Sequence, residues 1–147
     1  MRDVNNTYFS EPRCLRAVFD TNIFISAFLF PGSEADKAYR LAIRGSVEIY
    51  SSPVIITEVA GKLRGKFGWD DDHTLVAVRS IGRVATVIKP STRLSVLRDE
   101  PDNRILECAI ESAVDLIVTG DRHLLKLKKY ERIAVVRLRD LLSSVRG

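Results

Sequence analysis

Four acids, Asp20, Glu58, Asp102 and Asp121, are the residues of this 147-residue chain whose types and positions could do chemistry together. Asp20 closes the apolar run Arg16-Ala17-Val18-Phe19, and Asp121 follows Leu116-Ile117-Val118-Thr119 within two residues. Asp102 opens the helical stretch that leads to that second run. Glu58 falls about a turn and a half into a helix after a different run, Val47-Glu48-Ile49-Tyr50. A carboxylate at the end of a buried strand is costly unless it is paired or bound to a cation. Two carboxylates about 5 Å apart repel by roughly 3 kcal/mol at an effective dielectric of 20. Such a group must either take up protons or share a cation. No Lys or Arg immediately flanks Asp20. Oxygen-only ligands then favour a hard divalent ion, Mg²⁺ or Mn²⁺, over zinc. An ion so held activates water and stabilises charge on a phosphoryl oxygen, which implies metal-assisted hydrolysis of a phosphodiester.

The acids meet only if the fold brings them to one edge. Five short apolar segments read as strands: Arg16–Asp20, Val47–Tyr50, Val84–Ile88, Leu116–Thr119 and Ile133–Val136. Helical stretches alternate with them. Thr21 and Asn22 are placed to cap Ile23–Leu29. Ser33 with Asp36 resembles a capping box, and Gly45 is a plausible stop. Ser52-Pro53 gives an N-cap and a first helical residue, with the end at Gly65. A helix is expected up to about Gly82, another over Pro101–Ala113, a short one around His123–Leu127, and a last one over Leu138–Val145. This alternation demands a parallel sheet covered on both faces. The expected fold is a three-layer α/β/α domain with a central, mostly parallel five-stranded sheet, spanning residues 15–147 after a loose arm at 1–14. In an open parallel sheet ligands bind beyond the carboxyl ends of the strands, near the switch point of strand order. Asp20, Asp102 and Asp121 reach that edge on strand order alone, and Glu58 does so if its helix leans over it.

Composition excludes other classes. With 46% hydrophobic and 29% charged residues the chain is not disordered, and no apolar run approaches the ~20 residues of a membrane span. Met1–Asn6 carries no apolar stretch after a basic start, so no signal peptide is expected and the reading is cytoplasmic. Cys14 and Cys108 match no metal spacing and are too few for a disulfide scaffold. A net charge of +4 is compatible with a polyanionic partner; Lys62, Arg64 and Lys66, and Lys126, Lys128, Lys129 and Arg132, form modest clusters.

Val18-Phe19-Asp20-Thr21-Asn22, Glu58, Asp102-Asn103-Arg104-Ile105-Leu106-Glu107-Cys108-Ala109 and Val118-Thr119-Gly120-Asp121 resemble the four acidic motifs of PIN-domain ribonucleases, in particular the toxin components of toxin–antitoxin systems. The resemblance runs from about Arg16 to Leu142. It implies that Asp20, Glu58, Asp102 and Asp121 coordinate Mg²⁺ or Mn²⁺, with Asn22 and Thr119 as supporting polar residues. Close relatives often carry an acid where this chain has Pro101, and Asp99 stands nearby as an outer-sphere acid. An endoribonuclease would hold the RNA backbone with neighbouring cations, for which Arg104, Arg122 and Lys126 are the candidates. The resemblance also implies an antitoxin partner that inserts a basic side chain among the carboxylates, and a homodimer.

Other features are set aside. Asp70-Asp71-Asp72-His73 precedes a helix and reads as capping, and His73 and His123 share no zinc spacing. Cys108 reads as a packed thiol. There is no Gly-rich phosphate loop, and no second acid two residues after Asp20, which argues against an aspartyl phosphatase. A phospho-accepting signalling domain would want an Asp where Ile88-Lys89-Pro90 stands. The alternative that survives is a cation-binding RNA or protein module with little turnover.

Overall fold

The structure, a computed structural model, describes residues 14–145; the arm expected at 1–14 lies, Cys14 apart, outside the described residues. The strands are β1 (Leu15–Phe19), β2 (Val47–Ser51), β3 (Thr86–Val87), β4 (Leu116–Val118), β5 (Lys129–Tyr130) and β6 (Ile133–Val136). The helices are α1 (Thr21–Leu29), α2 (Glu34–Ile43), α3 (Pro53–Gly65), α4 (Asp71–Val84), α5 (Glu100–Ser112), α6 (Arg122–Leu125) and α7 (Leu138–Ser144). They form one sheet of order β3-β2-β1-β4-β6-β5, parallel except for β5. Ala17, Val18 and Phe19 are all fully buried, and because neighbouring strand residues point to opposite faces, both faces of β1 are covered. The chain leaves β1 for β2 on one side and returns to β4 on the other. The order therefore reverses between β1 and β4, and their carboxyl ends border the switch-point crevice.

The sheet has six strands where five were expected. The added strand, β5, pairs Lys129 with Ala134 and Tyr130 with Ile133 across a two-residue turn in which Glu131 has φ 55°. Tight hairpin turns need positive φ, and nothing in Lys-Tyr-Glu-Arg advertises one, since Asn-Gly or Asp-Gly is the usual signal. The third strand is shorter than expected. α4 runs past Gly82 to Val84 and leaves only Thr86 and Val87 to pair with Tyr50 and Ser51 at an exposed edge. β1 stops at Phe19, so Asp20 is the N-cap residue of α1 rather than the last strand residue. The caps expected at Ser33 and Ser52 form, to the amides of Asp36 and Ile55, and Asp70 caps α4 through the His73 amide.

α5 lies across β1, β2 and β4 and is the element that carries two acids of interest. One row of its polar residues, spaced by four, fastens the long segment that precedes it. Glu111 accepts from the amide of Ser91, Glu107 from the amide of Leu94 (2.7 Å), and Asn103 accepts from the amide of Leu97 and donates to its carbonyl, both at 2.8 Å. Residues i and i+4 share a helix face, so this row grips every third residue of an extended strap and delivers Asp99 to the start of the helix. Asn103 is fully buried. Asn103→Ala leaves the Leu97 amide and carbonyl without partners and is expected to lower the unfolding free energy by about 2 kcal/mol in urea titration.

Candidate metal centre

Asp20 is set at the end of β1 by its own amide, which donates to the Val118 carbonyl at 2.9 Å and ties it to the end of β4. Its carboxylate is buried and accepts the Thr119 hydroxyl at 2.6 Å. The same Thr119 oxygen accepts the Asp121 amide at 2.9 Å. One hydroxyl thus fixes the carboxylate from β1 and the backbone of the acid after β4. Burial pushes the Asp20 pKa up, Asp121 and Glu58 add to this, and the bonds from Thr119 and the Thr21 amide work against it.

Glu58 reaches the crevice because α3 packs on α1. Its Oε1 accepts the Thr21 hydroxyl at 2.7 Å, while Oε2 lies 3.6 Å from Lys62 Nζ, one helical turn on. Lys62 Nζ also reaches Asn22 Oδ1 at 3.5 Å, so Asn22 stands at the rim beside Glu58. Asp121 caps α6, its Oδ1 accepting the His123 amide at 2.7 Å.

Asp102 and Asp99 come from the start of α5. Asp102 is 6% exposed, and its Oδ2 is buried without a hydrogen-bond partner. Burial, followed by the charges of Asp121, Asp20, Asp99 and Glu58, raises its pKa to about 7. Carboxylate oxygens of Asp99, Asp102 and Asp121 all lie within 4.8 Å of one another. Asp99, expected in an outer position, is therefore in the tightest group of acids. Asp20 and Glu58 stand just outside that group, close enough to act on Asp102 electrostatically. An all-oxygen set with one buried, unpartnered carboxylate oxygen fits a hard divalent cation, which would supply the missing partner.

Other residues fall elsewhere. Arg104 is buried and turned into the protein: its guanidinium donates to Glu107 at 2.8 Å and to the Leu94 carbonyl at 3.0 Å, and pairs with Glu100 at 3.3 Å. Arg122 and Lys126 lie on and just after α6, which Asp121 caps, and Lys126 also borders the hollow onto which Asp99 and Asp102 open. His73 bonds Asp70, away from the cluster. Cys108 is a buried free thiol whose pKa burial pushes up to about 12. Two contributors were not legible in advance. Thr21 orients Glu58, and its neighbourhood signalled only capping; Lys62 pairs with Glu58, and only their spacing of four hinted at it.

A family model described as PIN domain matches residues 16–123, which contain all five acids. The chain belongs to the PIN domain family. It is 33% identical over 133 residues to Uncharacterized protein MJ1680 of Methanocaldococcus jannaschii, covering 85% of this chain and 84% of that one. The fold resembles VapBC2 from Rickettsia felis, solved bound to a DNA fragment from their promoter, with TM-score 0.59, 16% identity and coverage of 84% and 98%. It also resembles PAE2754 from Pyrobaculum aerophilum, with TM-score 0.57, 17% identity and coverage of 95% and 94%. PIN domains are nucleases. Among the described residues, no helix is long and apolar enough to cross a membrane.

The raised Asp102 pKa makes metal-free stability pH-dependent. Between pH ~4, where the unfolded Asp titrates, and about 7, the folded protein holds a proton the unfolded chain has lost. Stability from this group is present below pH ~4 and is lost as pH rises through about 7. In EDTA at pH 8, Asp102→Asn is expected to melt several degrees above wild type, with the gap closing by pH 4, in thermal melts followed by circular dichroism.

Proposed function

We propose that this PIN domain is a cytoplasmic endoribonuclease that requires Mg²⁺ or Mn²⁺ and is the toxin of a toxin–antitoxin pair, with residues 15–147 as the nuclease unit and 1–14 as an arm. The observation that carries the reading is the buried, unpartnered Asp102 oxygen among acids gathered at the switch point. A divalent cation there would acidify a water molecule and neutralise charge on the phosphoryl oxygens. The chain's own part is positioning. Thr119 holds Asp20 and the start of the Asp121 turn in one register, and Thr21 holds Glu58 against α1. Asp102, disfavoured as an anion by burial and its acidic neighbours, would be held ionised at neutral pH by a cation sharing the site. Without a cation these acids would repel a phosphate, since both are anionic. Arg122 and Lys126 are placed to hold the flanking RNA backbone, while Arg104 braces α5 and the strap before it.

The cognate partner in this reading is a small antitoxin whose basic side chain neutralises the carboxylates, and the active form is a homodimer. The likeness in fold to VapBC2 of Rickettsia felis, bound to a DNA fragment from their promoter, supports a paired partner of this kind. A binding module with little turnover is the second reading. It is favoured by Lys62, whose ammonium at Glu58 already offsets part of the anionic charge.

The purified chain is expected to cleave RNA in Mn²⁺ and to stop in EDTA. Asp20→Asn should cut the rate by more than the ~10–100-fold typical of losing an outer-shell contact to a metal ligand. Metal-dependent cleavage by Asp20→Asn at the wild-type rate would contradict the mechanism, and RNA binding without turnover would select the module.

A further inference from the structure

Acids alone repel RNA, so a nuclease built on them must retain its substrate elsewhere, and the surface beside α6 is shaped for that. A hollow of about 490 Å³ opens directly from the cluster, with Asp99 and Asp102 on one side and Leu97, Leu127, His123 and Lys126 around it. Lys126 also lines a second groove, of about 470 Å³, formed by α6, the end of β6 and the residue before α7. That groove has four cations, Arg122, Lys126, Lys128 and Arg137, against one acid, Asp140. The acid is occupied, since its Oδ2 accepts the Arg137 amide at 3.1 Å. Lys126 thus borders both the hollow and the groove.

The opposite flank does not offer the same. A depression beside Glu58 is lined by Arg93 and Arg104 but also by Glu58 and Glu100, two cations against two acids. Its Arg104 is already spent on Glu107 and Glu100. A concave surface with an excess of one sign concentrates the field that draws a polyanion, and of these two flanks the α6 side has that excess. The apolar side chains of the first hollow add a preference that charge alone does not give. A pocket of roughly 300–1,000 Å³ admits a nucleotide, and unstacked bases stack on imidazole rings and guanidinium planes, which His123 and Arg98 supply here beside Leu97 and Leu127.

We propose that the RNA strand leaves the acid cluster on the α6 side, with one unstacked base in the Leu97–Leu127 hollow and the next phosphates in the Lys128–Arg137 groove. RNA is favoured over an acidic protein segment because the hollow opens onto Asp99 and Asp102, the acids at which a reacting phosphodiester would stand. The cleavage half of this assignment rests on the nuclease reading; the binding half does not.

The test measures binding of the full chain to a fluorescein-labelled single-stranded RNA of about 12 nucleotides, by anisotropy in EDTA over a range of KCl concentrations. Lys128→Ala/Arg137→Ala should weaken binding roughly tenfold and reduce the slope of log Kd against log [KCl] by about 1.4, two contacts at ~0.7 each for a single strand. Lys37→Ala/Arg79→Ala, which removes two exposed cations from α2 and α4, should leave the slope as in wild type. Leu127→Ala should weaken binding several-fold with the slope unchanged, since it removes contact and no charge. Wild-type affinity and slope in Lys128→Ala/Arg137→Ala would overturn the proposal and reassign the groove to another polyanion, such as an acidic protein segment. Mn²⁺-dependent cleavage is assayed separately. Cleavage with an unaltered slope removes this path and keeps the nuclease reading; an altered slope without cleavage removes the nuclease reading and keeps the path.

Discussion

Mutual repulsion among carboxylates at the sheet's switch point governs how the site is constructed. Each pair at about 5 Å costs roughly 3 kcal/mol at an effective dielectric of 20, and burial adds to that cost. The fold bears it by bonding three of the acids to rigid elements. Asp20 is held by Thr119 and the Thr21 amide, Asp121 by its place at the start of α6, and Glu58 by Thr21 and Lys62. Asp102 receives no such bond at Oδ2 and carries the largest consequence, a pKa of about 7. The site is thus pre-stressed toward whatever relieves the charge, a proton or, in the proposed function, a divalent cation.

The scaffold follows from the same requirement. Carboxylates cannot be held close together by flexible loops, because they would relax apart. Here two come from the ends of the adjacent strands β1 and β4, whose residues Val18, Phe19, Ile117 and Val118 are fully buried. Two more come from the start of α5, which is pinned by its polar row to the strap before it. The chain's net charge of +4 conceals this arrangement. The anionic pocket is concentrated, and cations collect beside it on α6 and the start of α7.

The order of strands and helices is legible in the sequence because each strand is a short run of apolar residues and each helix a periodic one. That order alone carries Asp20, Asp102 and Asp121 to one edge. The role of Asp99 is not legible. A carboxylate before a helix most often caps it, and only the strap held by Asn103 and Glu107 turns this one toward Asp102 instead. β5 escapes notice for a different reason: a two-residue charged strand has no hydrophobic pattern, and its turn uses positive φ without glycine. Arg104 looks like a substrate contact from its place beside Asp102, yet three acceptors of the protein itself claim its guanidinium. Sequence neighbours on a helix point in different directions, and which one meets solvent is decided by packing.

Whether these acids share a divalent cation is decided by anomalous diffraction from crystals soaked in Mn²⁺. A peak bonded to Asp102 Oδ2 and to oxygens of Asp121 or Asp20, with Asp99 in reach, is the expected outcome. Full Mn²⁺ occupancy elsewhere on the protein, with the Asp102 oxygen still without a partner, would overturn the metal centre.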